Sequence, residues 1–272
     1  MPSPAYSDIR LVIEHDIARL TLCRADRRNA FDGAMIDQLI AACHELAQAD
    51  AVRLVWLQAE GPTFCAGADL NWMRKLGELG PDANLADARR LADMLWGLSS
   101  LPMPVVATVQ GDCMGGGVGL VAACDVVIAA ETAGFSLSEV KLGLIPATIG
   151  PHVLRAIGAR QAQRLFVTAE RIKADEAQAI GLIHRHCPLA DLVDTSLDVI
   201  DAMLLNGPQA MRAAKQLVRE LRERPLDADT REWTAQRIAT LRASDEGREG
   251  MRAFQQRRPP AWCPSDGTDT LH

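Results

Sequence analysis

Hydrophobic and polar positions alternate in two short runs near the start of the chain. In IRLVIEHDIARLTLCR (9–24), Leu11 and Ile13 share one face of an extended segment, and Ala18, Leu20 and Leu22 share a face of the next. Side chains alternate across a strand, so the pattern, broken at His15-Asp16, predicts a β-hairpin. From Asp32 the period changes. Met35/Ile36, Leu39/Ile40, Cys43 and Leu46 recur at helical spacing to about residue 48, with Asp32 as the N-cap. RLVWLQA (53–59) predicts an apolar strand, EGPTFCAGADL (60–70) a loop, and 84–98 a helix with Leu85, Ala88, Leu91, Leu95 and Trp96 on one side. PVVATV (104–109) and DVVIAA (125–130) predict strands on either side of a glycine-rich helix start.

Strands and helices therefore alternate through residues 1–195, which predicts an α/β core with parallel pairing. The unit recurs roughly every 50 residues, and a coil of strand-strand-helix repeats is one way to build it. Beyond about residue 195 the strand patterns stop. Segments 207–223, 229–243 and 244–258 read as helices, the first with Pro208 in its opening turn and the last capped by Ser244 ahead of acidic residues. A helical region over 196–262 and a disordered tail over 263–272 complete the expected organisation.

Composition narrows the classes. The 272 residues are 48% hydrophobic, yet no apolar run approaches the roughly 18–20 residues of a membrane span. The opening MPSPAYSDIR has no basic segment followed by an apolar core, so a cytoplasmic protein without a membrane partner is expected. A net charge of −6 argues against a nucleic-acid partner. The seven cysteines form no Cys-x-x-Cys pair, and His184 and His186, two apart, suit a strand end, so no metal site or disulfide framework is expected.

Three segments carry candidate chemistry. In GDCMGGGVGLVAACD (111–125), four of the five residues 115–119 are glycine. Each glycine costs a helix about 1 kcal/mol relative to alanine. Gly117-x-Gly119-x-x-Ala122, with Glu139 about 20 residues on, matches the dinucleotide fingerprint. In that motif, however, the strand runs directly into the first glycine, and here it ends near residue 109. A glycine-rich helix start instead exposes free N–H groups to a closely approaching ligand, as an oxyanion site requires. Close helix packing accounts for one or two of the glycines. In FCAGADL (64–70), the N–H of Ala68 is a second donor placed to face Gly116. In FSLSEVKLGLIPA (135–147), Glu139 stands among apolar and small residues, where a carboxyl is expected to hold a raised pKa suited to acid–base work.

Together, in this order, these segments resemble the enoyl-CoA hydratase/isomerase (crotonase) superfamily from about residue 9 to 262. RADRRNAF resembles its coenzyme A-contacting segment, with Ala25 where proline is usual. FCAGADL and GDCMGGGVGL resemble its two oxyanion loops, SEVKLGLIP its catalytic-glutamate segment, and EGMRAFQQRRPPAW its C-terminal helix. The resemblance implies a spiral of ββα repeats with a C-terminal helical region, assembled as a homotrimer or a dimer of trimers. It implies an acyl-CoA substrate, with coenzyme A part of the substrate and no separate cofactor. The thioester oxygen would sit between the N–H groups of Ala68 and Gly116, and Glu139 would be the acid–base group. Arg27, Arg28, Ala30, Ala66, Asp69 and Leu70 are the implied coenzyme A contacts, with Phe254 and Arg257 closing over the nucleotide. Trp72, Leu91, Met94 and Leu95 are the implied acyl pocket.

One position departs from the pattern. Hydratases of the family place a second glutamate where this chain has Gly119, so either Glu139 serves both roles in turn or another group replaces the missing acid. Single-glutamate relatives include double-bond isomerases. ADLNWM, NLADARRLADMLW, GGGVGLVAACDV and LSEVKLGLIPATI are also similar to bacterial 3-methylglutaconyl-CoA hydratases of leucine breakdown, and to a sister group acting on isohexenylglutaconyl-CoA in acyclic terpene degradation. Both substrates carry a second carboxylate, for which Lys141, His152 and Arg155 are candidate partners. The expected activity is hydration of a branched glutaconyl-CoA. The alternatives are a Δ3–Δ2 isomerase or general enoyl-CoA hydratase and, more distantly, a nicotinamide oxidoreductase or a non-catalytic binding protein.

Overall fold

The opening alternation becomes a hairpin. Strands β1 (Ile9–Glu14) and β2 (Ile17–Leu22) pair antiparallel, with Ile13 opposite Ala18. His15 and Asp16 make the turn with φ of 47° and 66°. Two central residues at positive φ match the right-handed twist of the strands they join. The computed structural model describes residues 6–263. Contacts divide the chain into two units, one holding the residues up to Leu101 with Val105–Ser196, the other Pro102–Pro104 with the chain from Leu197 onward.

In the first unit, β2 continues in parallel to β3 (Leu54–Ala59), β4 (Val105–Val109), β6 (Val126–Ala130) and β9 (Arg185–Cys187), giving a six-stranded sheet in the order β1-β2-β3-β4-β6-β9. β4 is buried along its whole length. Strands of a parallel sheet are covered on both faces, which is why VVATV and VVIAA read as continuous apolar runs. A second sheet joins three very short strands, β5 (Cys113–Met114), β7 (Gly134–Ser136) and β8 (Arg171–Lys173).

Helix α1 (Gly33–Ala47) starts where Asp32 accepts a bond from the Met35 N–H. Helix α2 (Leu70–Gly77) is short, and α3 (Pro81–Ser100) extends beyond the expected 84–98. The expected buried side of α3 is corrected. Leu85 and Trp96 are exposed, and Met94, Leu95 and Leu98 form the buried stripe. The rotation follows from Gly97, where an added Cβ would lie 3.3 Å from Cys43 Cβ. α1 crosses α3 at that point, which turns Trp96 outward. Helix α4 (Gly116–Ala122) follows the glycine run. Next come α5 (Gly150–Thr168), interrupted at Gly158, then α6 (Ala174–Ala179) and α7 (Leu192–Leu204).

The second unit carries α8 (Pro208–Leu221), α9 (Ala228–Ala243) and α10 (Asp245–Gln256). Ser244 Oγ accepts from the Gly247 N–H and so caps α10. Glu246 on α10 accepts from the N–H groups of Gln209 and Ala210, satisfying the first turn of α8. Trp262 donates to the Leu205 carbonyl. The tail expected from 263 lies, apart from Cys263, outside the described residues. Among the described residues, no helix is long and apolar enough to cross a membrane.

Candidate active site

The loop RADRRNAF is shaped by a buried asparagine. Arg28 and Asn29 both have φ of 52°, a conformation that asparagine tolerates better than most residues. The Asn29 amide donates to the carbonyls of Glu60 and Thr63, and its oxygen accepts from the Arg24 N–H. This ties the loop to the start of FCAGADL. Beyond it, the Phe31 N–H donates to the Gly67 carbonyl, and the Asp69 N–H donates to the Phe31 carbonyl, each at 2.7 Å. That parallel bridge uses both polar groups of Phe31 but only the neighbours of Ala68. The N–H of Ala68 therefore points away from the pairing and has no acceptor among the described residues.

Across the cleft, Met114 donates to the Cys65 carbonyl, joining the same loop to β5. Gly67 has φ of 87°, and an added Cβ would lie 3.0 Å from the Met114 carbonyl oxygen and 3.8 Å from Gly115 Cα. The two loops thus touch backbone to backbone, which only glycine permits. Gly115 is the N-cap of α4, with φ 49° and ψ −117°, and supplies no side-chain cap. Its own N–H donates to the Ser136 carbonyl, while the N–H of Gly116 in the first helical turn has no acceptor among the described residues.

Glu139 meets these glycines. It opens a 3₁₀ turn at Glu139–Leu142, and its Oε1 lies 3.1 Å from where a Cβ on Gly115 would stand. Its other carboxyl oxygen is buried with no hydrogen-bond partner among the described residues. Burial pushes the carboxyl above the ordinary glutamate range, opposed by a bond from its own backbone N–H. A carboxylate so placed takes up a proton readily, as a base at neutral pH must.

The remaining two glycines of the run serve packing. An added Cβ on Gly117 would lie 2.8 Å from Cys65 Cβ, and one on Gly119 would lie 2.5 Å from Ile149 Cγ2. The dinucleotide-fingerprint pair is therefore pressed against side chains.

Asp69 is a structural carboxylate in this geometry. It caps α2 by accepting from the N–H groups of Asn71 and Trp72, and Arg27 lies 3.4 Å away. The Trp72 N–H foremost, then Asn71 and Arg27, hold its carboxyl below the ordinary range against the effect of burial. Arg24, half-buried, pairs with Asp32 at 2.8 Å and lies 4.0 Å from Asp69, so it links the caps of α1 and α2. These residues line a cleft of about 620 Å³ together with Trp72, Arg74 and Lys75. Sequence patterns marked Arg24 only as part of the basic run RADRR and did not single out Asn29, Arg74, Lys75 or Ile149. Arg74 and Lys75, adjacent in NWMRKLG, were the legible signal.

The other expected site residues are distributed as follows. Arg27, Arg28 and Leu70 are exposed, Ala30 is buried, and Ala66 is half-buried. Trp72 and Leu91 are half-buried, and Met94 and Leu95 are buried. Lys141 and Arg155 are exposed, while His152 is buried. Burial first, then the Arg155 charge, lowers the His152 pKa. Phe254 and Arg257 belong to the second unit, where Phe254 is 86% exposed and Arg257 ends α10 at φ 53°.

Two backbone N–H groups without acceptors among the described residues, on touching loops beside a buried carboxylate, are suited to polarising a carbonyl and moving a proton next to it. Residues 12–264 match the enoyl-CoA hydratase/isomerase family. The chain belongs to this family. The enzyme is 41% identical to an enoyl-CoA hydratase from Shewanella pealeana, whose crystal structure superposes with a TM-score of 0.91 over 94% of this chain and 96% of that one. It is 32% identical to the 2,3-dehydroadipyl-CoA hydratase of Escherichia coli, covering 93% of this chain and 98% of that protein. It is 33% identical to the mouse mitochondrial methylglutaconyl-CoA hydratase, covering 90% and 79% respectively. The enzyme is thus of the enoyl-CoA hydratase type, a hydro-lyase with the crotonase fold.

Proposed function

We propose that this is a cytoplasmic hydratase adding water across the C2=C3 bond of a branched glutaconyl-CoA, of the 3-methyl- or isohexenylglutaconyl type. The observation that carries the chemistry is the carboxylate of Glu139 set against Gly115, next to the unmatched N–H groups of Ala68 and Gly116. The thioester oxygen would lie between those two donors. Glu139 takes a proton from water as the water oxygen bonds to C3. The π electrons move onto the thioester oxygen as an enolate, and the same carboxyl then returns a proton to C2. Loss of one such donor typically costs about 10²–10³ in rate.

The cations Arg24, Arg27, Arg74 and Lys75 around the 620 Å³ cleft suit the phosphates of coenzyme A. Coenzyme A arrives and leaves within substrate and product, so no separate cofactor is required. Phe254 and Arg257 are assigned to the nucleotide, and the helical second unit to assembly as a trimer or dimer of trimers. Two relatives are named for thioesters that bear a second carboxylate, which supports a dicarboxylic acyl group here. Exposed Lys141 and Arg155 are the charged candidates to meet it, and His152 offers a hydrogen bond.

A second reading, Δ3–Δ2 isomerisation, is favoured by Gly119, because one carboxylate suffices to carry a proton between two carbons. Incubation with 3-methylglutaconyl-CoA, a plain 2-enoyl-CoA and a 3-enoyl-CoA tests both. Hydration of the first, faster than of the second, is expected. Turnover of the 3-enoyl-CoA alone would overturn hydration.

A further inference from the structure

Phe31 touches both loops of the site, with different parts of one residue. Its backbone holds the first loop. The Phe31 N–H donates to the Gly67 carbonyl, and the Phe31 carbonyl accepts from the Asp69 N–H, each at 2.7 Å. Ala68 is thus fixed between two bonds to a single residue. This bridge lies outside both sheets, so no longer ladder sets the direction of the Ala68 N–H. The ring of Phe31 meets the second loop. A Cβ added to Gly116 would lie 2.9 Å from Phe31 Cε2 and 3.0 Å from Cδ2, so the ring edge rests against Gly116.

The ring has little freedom to swing away. Phe31 is 1% exposed. The residues on either side of it are both tied to Arg24, which donates to the Ala30 carbonyl at 3.2 Å and pairs with Asp32 at 2.8 Å. In a close-packed interior, a side chain held this way passes its position to whatever rests on it.

We infer that Phe31 is a positioning residue for the reaction, which sets the spacing of the Ala68 and Gly116 N–H groups by pairing with one loop and bracing the other. The inference rests on the reading of those groups as donors to the thioester oxygen. Two donors serve one oxygen only when both aim at the same point. The two backbone bonds survive a change of side chain at 31. Truncating the ring therefore releases Gly116 and leaves Ala68 in place.

The test follows the carbonyl itself. A plain 2-enoyl-CoA, isotope-labelled at the thioester carbonyl, is bound to Glu139→Gln so that turnover is slow, and its C=O stretch is read by infrared difference spectroscopy. Donors that polarise the carbonyl weaken that bond, so binding should lower the frequency. Glu139→Gln/Phe31→Ala should lose at least half of this shift. Phe31→Leu on the same background keeps a side chain out to Cδ but lacks Cε2, and should lose a smaller part. In the otherwise unchanged enzyme, Phe31→Ala should lower kcat about 10²-fold, the scale of a small misplacement at a reacting centre. KM should stay nearly constant, because the loss falls on the transition state. Leu46→Ala, a core truncation about 20 Å along α1 from its start, should lower the melting temperature and leave both the stretch and kcat intact. A full shift and full kcat in Phe31→Ala would overturn the inference, as would equal losses in Leu46→Ala. If Phe31→Ala does not fold, Phe31→Leu decides, and parent values of both readouts there overturn it. No shift in Glu139→Gln itself would instead overturn the reading of Ala68 and Gly116 as carbonyl donors.

Discussion

Helices α2 and α4 begin in loops whose backbones touch, yet their first turns are completed in opposite ways. At α2, Asp69 accepts from the N–H groups of Asn71 and Trp72, and Arg27 faces the carboxylate. At α4, the N-cap is Gly115, and the N–H of Gly116 is left without an acceptor among the described residues. The orphan donors of a helix start are the same in both cases. A carboxylate from the chain closes one start. The other stays open beside Glu139, where the proposed thioester oxygen would sit.

The contrast is broken most strongly by removing the base. Glu139→Gln is expected to lower turnover about 10³-fold, within the usual contribution of a positioned acid–base group. Its stability should not fall at neutral pH. The carboxyl's folded-state pKa is raised, so the parent loses stability as pH climbs from the ordinary glutamate value through the raised one, and the amide variant does not. Thermal melts from about pH 4 to about pH 8, run beside initial rates, check both parts. A destabilised Gln variant at neutral pH would contradict the desolvated carboxylate.

Crowding the open start comes next. Gly115→Ala forces a Cβ to φ 49° and to 3.1 Å from the Glu139 oxygen. Turnover should fall about 10²-fold, with a stability loss of about 1–3 kcal/mol from backbone strain. Urea unfolding together with kinetics separates the two effects.

The smallest effect is expected from opening the closed start. Asp69→Ala removes a cap, costing about 1 kcal/mol. Because the Asp69 carboxyl is held below its ordinary range, the stability it adds is present at neutral pH and vanishes as pH falls through the lowered value. The gap between parent and variant should therefore close in acid. If Asp69→Ala costs as much turnover as Gly115→Ala, the distinction between the two helix starts fails.

Much of this arrangement is legible in the residues. The hairpin, the Asp32 cap and the parallel strands follow from periodicity and from the conformational preferences of Asp and Gly at particular positions. The pairing of FCAGADL with the glycine run, and the place of Glu139 in an apolar segment, also stand out by composition. The three-stranded sheet does not, because strands of two or three residues carry no period to detect. Asn29 looks like any loop asparagine, and only its bonds to Glu60 and Thr63 reveal it as the tie between two loops. The helical stripe on α3 was legible as a helix but not in phase, since the crossing at Gly97 chose the buried face.

The sequence alone determined the alternation of strands and helices, the family and the glycines at 115–117 and 119, because these depend on residue types at local spacings. Tertiary structure decided what each glycine is for. Whether the lack of a side chain makes room for a carboxylate, as Glu139 enters at Gly115, or for an apolar side chain, as Ile149 enters at Gly119, depends on which atoms arrive from 24 to 30 residues away. No local pattern encodes that arrival, since it is set by how α5 and the Glu139 turn pack on α4.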